Sequence, residues 1–225
     1  MKTLLISDIH GNLEALERVL GLENWDSIYC MGDLVDYGPS PEECVELIKQ
    51  KADVVVRGNH DNAVATGMDC GCSYEIKELS QEVRRYTVDS MSPENLEYLG
   101  SLPVSVNKIG TYITHASRDD LFGYLRPDTP EEEFSVFDDL EEDTVLLGHT
   151  HIPMDREING RRYINPGSLG QPRDGDTRAA YGILEDGELY LRRTEYDMDT
   201  VLRKMESAGL PSRAMRILRT GEIVP

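Results

Sequence analysis

The segment VVVRGNHDN, residues 54–62, joins an apolar run to a cluster of chemically active side chains. The apolar run is typical of a buried strand, and it ends abruptly in polar residues. A turn at this point requires glycine or asparagine, which Gly58 and Asn59 supply, but it does not require His60 and Asp61 as well. We therefore expect this strand to deliver an amide, an imidazole and a carboxylate to one place.

Four other segments have the same form, in which an apolar strand ends in polar residues able to hold a metal ion. They end in Asp8-Ile9-His10, Gly32-Asp33-Leu34-Val35-Asp36, Thr114-His115 and Gly148-His149-Thr150-His151. Because ligands gather at the carboxyl ends of the strands in α/β sheets, we expect these side chains to meet at one edge. In Asp-x-His and His-x-His, the spacing of two places both side chains on the same side of an extended chain, so each pair can grip one ion.

All five histidines of the chain lie in these segments. A single histidine on a strand is more often structural than a ligand, but five of five at strand ends, in a set that also contains Asp and Asn, indicates a metal centre. Imidazole, carboxylate and amide oxygen without thiolate suit Mn²⁺, Fe²⁺, Co²⁺, Ni²⁺ or Zn²⁺. The donors exceed what one tetrahedral ion takes, whereas two ions about 3.5–4 Å apart that share a carboxylate use them well. The side chains expected at this edge are Asp8, His10, Asp33, Asn59, His60, His115, His149 and His151.

The order of the remaining patterns predicts the fold class. The first third alternates strands and helices in a βαβαβ order, which predicts parallel strands with helical crossovers. Residues 62–101 are polar and predict two helices, 74–90 and 93–99, in an insert near the active site rather than a separate domain. The remainder is rich in strands joined by hairpin turns, followed by a final helix, 200–208. We predict a single α/β domain over residues 1–225, with two mixed β-sheets packed on each other and helices outside.

The charge of the chain limits its partners. With 42 acidic and 23 basic residues the net charge is −19. This argues against binding to polymeric nucleic acid or to anionic membrane surfaces, because both interactions depend on Lys and Arg. If the substrate is a phosphate, bound divalent cations would offset the negative field locally.

The apolar stretches and the cysteines indicate the compartment. No apolar stretch reaches the length of a membrane span, and the apolar run near the start is too short for a signal peptide. We therefore expect a cytoplasmic protein. Its four cysteines are expected to be free thiols, because Cys70-Gly71-Cys72 lacks the second cysteine pair of a zinc site.

Taken together, the five strand-end motifs resemble the calcineurin-like metallophosphoesterase superfamily, and they follow that family's order over residues 8–151. A single Gly-Asn-His is a weak signal, whereas the full set is highly specific. Gly38-Pro39, residues 164–173 and Arg57 ahead of Gly-Asn-His resemble more narrowly a small prokaryotic branch. That branch includes phosphodiesterases and diadenosine tetraphosphate hydrolases. The resemblance implies a four-layer αββα sandwich.

The resemblance also implies a role for each matching residue. One ion is held by Asp8, His10, Asp33 and His151, and the other by Asp33, Asn59, His115 and His149. Asp33 is shared, and a hydroxide that bridges the ions attacks phosphorus in line with the leaving group. His60 faces the substrate as the acid that protonates the leaving oxygen, and Asp61 orients its ring. Mn²⁺ is the first candidate for both ions, with Fe²⁺, Ni²⁺, Co²⁺ and Zn²⁺ as alternatives.

The function expected from these residues is hydrolysis of a small phosphodiester or dinucleoside polyphosphate, with a nucleotide as a candidate substrate. Arg57 and Arg173 are the candidate substrate-binding residues, and a structural ion pair is the alternative for each. Asp36 either hydrogen-bonds a ligand histidine or serves a turn. A protein serine/threonine phosphatase and a non-catalytic scaffold of the same fold are the alternative functions. The sequence predicts no oligomeric state.

Overall fold

Two five-stranded mixed β-sheets form the centre of the structure, a computed structural model that describes residues 1–71, 74–108, 110–118 and 120–223. The strands are β1 (Lys2–Ile6), β2 (Ser27–Cys30), β3 (Val54–Val55), β4 (Ser105–Lys108), β5 (Thr111–Thr114), β6 (Thr144–Leu146), β7 (Met154–Ile158), β8 (Arg161–Asn165), β9 (Ala179–Glu185) and β10 (Glu188–Thr194). The helices are α1 (Leu13–Leu20), α2 (Pro41–Lys51), α3 (Asn59–Thr66), α4 (Tyr74–Ser90), α5 (Pro93–Ser101), α6 (Met198–Ser207) and α7 (Ser212–Thr220), with a 3₁₀ helix at Glu131–Phe137. The predicted α/β fold with two mixed sheets is confirmed.

The strand order places the carboxyl ends of five strands at one edge of the paired sheets. The first sheet has the order β10-β9-β1-β2-β3, and β1, β2 and β3 run parallel, as the βαβαβ pattern predicts. The second sheet has the order β4-β5-β6-β8-β7, in which β5, β6 and β8 run parallel and the edge strands run antiparallel. The five motifs directly follow β1, β2, β3, β5 and β6.

The two sheets pack face to face through alternate residues of their strands. Leu5 of β1 shares a buried cluster with Ile113 of β5 and Leu146 of β6, between the sheets. Its neighbours Leu4 and Ile6 belong to a different cluster, on the side covered by α1 and α2. This division follows from the period of two along a strand. Buried phenylalanines of the 3₁₀ helix pack on the outer face of the second sheet, which gives the arrangement helix, sheet, sheet, helix.

Helix α3 was not predicted. It begins at Asn59, inside the VVVRGNHDN segment, and residues 56–58 separate it from β3. Asp61, at the third position of the helix, accepts a hydrogen bond from the backbone N–H of Gly58 at 2.9 Å, and this contact stabilises the first turn. The two helices predicted in residues 62–101 are present as α4 and α5.

The end of the chain and the cysteines differ from the predictions. The predicted final helix is α6, but α7 follows it and ends at Gly221, whose φ of 67° is typical of a helix C-terminus. Cys30 and Cys44 are buried free thiols, as predicted. Cys70 is disulfide-bonded, so the prediction of a free thiol is wrong there, and Cys72 lies outside the described residues. Among the described residues, no helix is both long and apolar enough to cross a membrane.

Candidate active site

The five motif segments meet at one edge of the paired sheets. All side chains predicted as metal ligands are at most 3% exposed. Their ligand atoms form two groups, each within 4.8 Å, namely Asp8, His10 and His151, and Asp33, His115 and His149. Asn59 adjoins the second group, because its Oδ1 lies 3.0 Å from Nε2 of His115 and 3.1 Å from Nδ1 of His149. The predicted ligands therefore occupy one buried site.

The backbone at this edge adopts conformations that are unusual for the residues it carries. Asp8, His10, Asp33, His149 and His151 have φ values between 48° and 66°. Non-glycine residues rarely adopt this left-handed region, and each such position costs about 1–3 kcal/mol. Glycine would avoid the cost but offers no ligand atom. The fold thus keeps a strained backbone conformation at five positions whose side chains offer ligand atoms.

Two glycines of the motifs are required because another segment of the chain packs directly against each of them. A Cβ at Gly58 would collide with Oδ1 of Asp33, and a Cβ at Gly148 would collide with Oγ of Ser7. Only a residue without a side chain lets these segments come together. The glycines of Gly-Asn-His and Gly-His-Thr-His therefore allow the ligands to converge.

Backbone carbonyls fix the tautomers of three histidines. Their Nδ1–H groups donate to carbonyl oxygens, from His10 to Val35 (2.9 Å), from His115 to Met31 (2.6 Å) and from His151 to Gln171 (2.5 Å). Because a carbonyl only accepts, each Nδ1 carries the proton and each Nε2 is the atom that can bind a cation. The amide of Asn59 is oriented as well, since its Nδ2 donates to the carbonyl of Cys70 at 2.7 Å and its Oδ1 faces the site.

The atoms oriented in this way face one another at coordination distances. Nε2 of His10 lies 3.1 Å from Nε2 of His151, and Nε2 of His115 lies 3.0 Å from Oδ1 of Asn59. Facing lone pairs repel each other unless a cation lies between them. Two ligands about 2.1 Å from one ion are about 3.0 Å apart at a right angle and about 3.4 Å apart at the tetrahedral angle. The spacing therefore fits ligands of a common metal ion.

Asp33 belongs to the second group, and its carboxylate also approaches the first. Its Oδ2 is 3.3 Å from Nε2 of His115 and 3.8 Å from Nε2 of His10. Oδ2 of Asp33 and Oδ1 of Asp8 are buried without a hydrogen-bond partner in the described part of the chain. A buried, unpaired carboxylate oxygen is costly, and a cation would stabilise it. The residues present fit two divalent cations, with Asp33 placed to contact both.

Burial and neighbouring charges control the protonation of the ligand histidines. Burial, followed by the charge of His151, lowers the pKa of His10 well below its usual value. Burial and the neighbouring His115 lower the pKa of His149 to about 3. Burial opposes protonation of His115, but the charge of Asp33 raises its pKa to about 9. His10 and His149 are thus neutral bases, and a metal cation beside Asp33 would replace the proton that His115 otherwise holds.

The ring of His60 is held by Asp36. Nδ1 of His60 lies 2.7 Å from Oδ2 of Asp36, and the ring centroid is 5.1 Å from that of His10. Arg84 of α4 donates from its guanidinium to the same carboxylate oxygen at 2.8 Å. Asp36 is fully buried. It therefore binds a histidine, as one of the two interpretations of the sequence allowed, but that histidine is His60 rather than a ligand of the metal groups.

The carboxylate of Asp61, which the sequence predicts to orient His60, contacts the backbone of two segments. It accepts hydrogen bonds from the backbone N–H groups of Asp33 and Leu34, both at 2.8 Å, and from that of Gly58. Successive residues of an α-helix point about 100° apart, so neighbours in the first turn of α3 face different surroundings. Burial and the charge of Asp33 raise the pKa of Asp61 to about 6. Asp61 ties the start of α3 to the loop after β2.

The two arginines predicted to bind substrate lie in different surroundings. The guanidinium of Arg57 donates to the carbonyl of Gly100 at 3.0 Å, in α5. Arg57 thus contacts the backbone of α5, and its role in substrate binding stays a prediction. Arg173 instead lines a cavity of about 640 Å³ that also reaches Thr150 of the Gly-His-Thr-His motif. Its guanidinium donates to Oε1 of Gln171 at 2.8 Å.

Three residues at the site were missed by the sequence analysis. Arg84 contacts Asp36 from α4, the ring of Tyr124 lies 4.1 Å from that of His149, and Arg126 lies over Tyr124 at 5.2 Å. None of the three belongs to a motif, because each reaches the site by packing of a segment distant in sequence. Tyr124 and Arg126 lie two positions apart and follow the strand-end motif at His115. This position is the one feature of the sequence that points to them as site residues.

One protein family and several individual proteins are similar to this chain over most of its length. The family model described as the calcineurin-like phosphoesterase superfamily domain matches residues 1–187. An uncharacterized protein of Methanocaldococcus jannaschii is 35% identical, over 92% of this chain and 93% of its own. Phosphodiesterase YfcE of Escherichia coli is 27% identical, over 84% of this chain and 90% of its own. The crystal structure of a metallophosphoesterase from Sphaerobacter thermophilus superposes with a TM-score of 0.87 at 32% identity, covering 98% of this chain and 99% of that one.

Proposed function

The chain belongs to the calcineurin-like phosphoesterase superfamily and is a hydrolase of phosphoesters, and we propose that it uses two divalent metal ions to hydrolyse a small phosphodiester or a dinucleoside polyphosphate. The main support for this proposal is that the ligand nitrogen and oxygen atoms of the site residues face one another around the carboxylate of Asp33. The name of phosphodiesterase YfcE and a cavity of about 640 Å³, a volume suited to small molecules, support the substrate class.

The proposed ligand sets follow the two groups of the site. Asp8, His10, Asp33 and His151 would hold one ion, and Asp33, Asn59, His115 and His149 would hold the other. Two ions, when bound, would lower the pKa of a water molecule and neutralise phosphate charge. We propose Mn²⁺, with Fe²⁺, Ni²⁺, Co²⁺ and Zn²⁺ as alternatives, because imidazole, carboxylate and amide oxygen suit all of them. Their charge would also offset the net charge of −19 near the substrate.

We assign the proton transfer to His60. As water adds to phosphorus and the bond to the leaving oxygen breaks, negative charge builds on that oxygen, and His60 would deliver a proton to it. Asp36 accepts the Nδ1–H of His60 and fixes the orientation of the ring, while Arg84 holds Asp36 in place. This assignment keeps the predicted role of His60 and gives Asp36 the role that was predicted for Asp61.

The test is a comparison of substrates by the metal-restored protein. The purified protein is stripped with a chelator, Mn²⁺ is restored, and hydrolysis of bis(4-nitrophenyl) phosphate is compared with that of 4-nitrophenyl phosphate and diadenosine tetraphosphate. We expect metal-dependent turnover that is fastest on the diester or the dinucleotide. Faster turnover of the monoester and of a phosphoserine peptide would favour the protein phosphatase. No turnover with any of the five candidate ions would contradict the proposal and favour the scaffold.

A further inference from the structure

The cavity beside the metal-binding groups has a wall that combines cationic and aromatic side chains. Thr150, which lies in sequence between two proposed metal ligands, forms part of this wall, so the cavity adjoins the site. Arg173, Tyr124 and Arg126 also line it. Its volume of about 640 Å³ falls within the range of about 300–1,000 Å³ that is typical of small-molecule sites. There is room for a part of the substrate beyond the reacting phosphate.

Tyr124 and Arg126 extend outward from the metal-binding groups. The ring of Tyr124 packs on that of His149, with centroids 4.1 Å apart. The guanidinium of Arg126 lies over the ring of Tyr124, 5.2 Å from its centroid. Arg126 is exposed to solvent, whereas Tyr124 is half-buried. This stack holds the cation of Arg126 beside the site, on the wall of the cavity.

Arg173 contributes a second cation to the same wall. Its guanidinium is 5.8 Å from the ring centroid of Tyr37, and it donates to the side-chain carbonyl of Gln171. The backbone carbonyl of Gln171 in turn accepts the Nδ1–H of His151. The arginine is therefore positioned by the same residue that orients a proposed metal ligand.

The charge of this wall differs from that of the whole molecule. The chain has 42 acidic and 23 basic residues, yet among the described residues no ion pair joins Arg126 or Arg173 to a carboxylate. Asp128 is also part of the wall, so two positive charges oppose one negative charge. Guanidinium groups that face a cavity without carboxylate partners are suited to bind phosphate oxygens.

We infer that Arg126 and Arg173 bind a second anionic group of the substrate, a phosphate other than the one that is hydrolysed, beside the aromatic face of Tyr124. This inference rests on the proposed function and makes it more specific. It selects substrates whose leaving portion carries its own phosphate, such as phosphoanhydride-linked nucleotides, over simple diesters. A simple aryl diester would occupy the metal-binding groups alone and leave the two arginines without a ligand.

The test compares two substrates in Arg126→Gln, Arg126→Lys and the parent protein, all restored with Mn²⁺. The measured quantity is the ratio of kcat/KM for diadenosine tetraphosphate to kcat/KM for bis(4-nitrophenyl) phosphate. Loss of a charge-assisted contact to phosphate predicts that Arg126→Gln lowers this ratio about tenfold or more, mainly through KM of the dinucleotide. Arg126→Lys keeps the charge and is expected to recover part of the ratio.

The matched control is Arg192→Gln. Arg192 lies over Tyr190 at 5.0 Å, two positions away in sequence and exposed on β10, so it reproduces the local contact of Arg126 without lining the cavity. Its substitution is expected to leave the ratio unchanged. A ratio that stays within about twofold in Arg126→Gln, or a parent protein that cleaves the diester but not the dinucleotide, would overturn the second-phosphate site alone. A parent protein that cleaves neither substrate would overturn the proposed function and this inference with it.

Discussion

At the scale of single residues, the carboxylate of Asp36 connects the helical segment 62–101 to the proposed acid. It lies 2.7 Å from Nδ1 of His60 and 2.8 Å from the guanidinium of Arg84. Charge-assisted hydrogen bonds of this kind are short and strongly directional. The position of the imidazole therefore depends on a residue of α4 that has no place in any of the metal-binding motifs.

Substitutions at Asp33 and His60 should separate metal binding from proton transfer. Asp33→Ala removes the carboxylate that reaches both ligand groups, so we expect loss of bound metal and of activity. His60→Ala should keep the metal content but slow turnover by about 10²–10⁴-fold for poor leaving groups. Its effect on a nitrophenolate leaving group should be much smaller, because that group needs no proton. A sharp fall in the metal content of His60→Ala, measured by elemental analysis, would contradict this division of roles.

Arg84→Gln tests whether α4 positions His60. Without the guanidinium, Asp36 loses one of its two side-chain partners, and we expect kcat on a poor leaving group to fall about 10–100-fold with unchanged metal content. Arg85→Gln is the control, because Arg85 is the next residue of the same helix and is exposed. Equal rates for the two variants would show that Arg84 does not position the acid.

Asp61→Asn tests whether Asp61 acts through its backbone contacts rather than by orienting His60. The carboxylate accepts three backbone hydrogen bonds, and an amide presents one acceptor and one donor in the same space. We expect the free energy of unfolding to fall by about 1–3 kcal/mol, measured by urea denaturation. If stability were unchanged while turnover of poor leaving groups fell as far as in His60→Ala, Asp61 would regain the orienting role.

At the scale of elements, three helices support the site from one side. Buried residues of α4, α6 and α7 form a cluster that includes Tyr37. The ring of Tyr37 lies 4.9 Å from that of His10 and 5.0 Å from that of His60. Packing of these helices therefore determines where the proposed acid lies relative to the proposed ligands.

Leu79→Ala is expected to weaken this support. Leu79 is a residue of α4 that is 2% exposed within the cluster, and its truncation should lower the free energy of unfolding by about 2–5 kcal/mol. Val88→Ala is the control on the same helix, because Val88 is 38% exposed. Urea denaturation of both variants checks the prediction, and similar midpoints would show that the cluster contributes little to stability.

The sequence predicts elements well where periodicity and capping agree, and poorly where they conflict. Helices α4 and α5 begin at the expected residues, because a proline and an amphipathic pattern mark them. Helix α3 was missed, since Gly-Asn-His-Asp is also the composition of a turn and the capping contact of Asp61 becomes visible only in the folded chain. Helix α7 was missed although its C-terminal glycine at position 221 is a recognisable signal.

At the scale of the whole molecule, the convergence of ligands could be predicted and the surrounding contacts could not. Strand ends that carry Asp, Asn and His meet because parallel strands place their carboxyl ends at one edge. Arg84, Tyr124 and Arg126 come from a helix and a loop whose position depends on tertiary packing. The contact between Asp36 and His60 could not be predicted for the same reason, because the two residues are distant in sequence and adjacent in space.

The net charge of −19 affects how the whole protein attracts a charged substrate. A phosphate substrate approaches a predominantly negative molecule, so we expect the proposed metal ions and the arginines of the cavity wall to supply positive charge locally. The protein without its metals would leave buried carboxylate oxygens unpaired in the described part of the chain. Metal binding is therefore expected to stabilise the fold as well as to support activity.

The most direct test of the two-metal centre is a titration of the chelator-stripped protein with Mn²⁺. Bound metal per chain and turnover of bis(4-nitrophenyl) phosphate are measured in the same samples by equilibrium dialysis and absorbance. We predict that binding saturates at about two ions per chain and that full turnover requires both. Full turnover with a single bound ion, or turnover without bound metal, would contradict the two-metal centre.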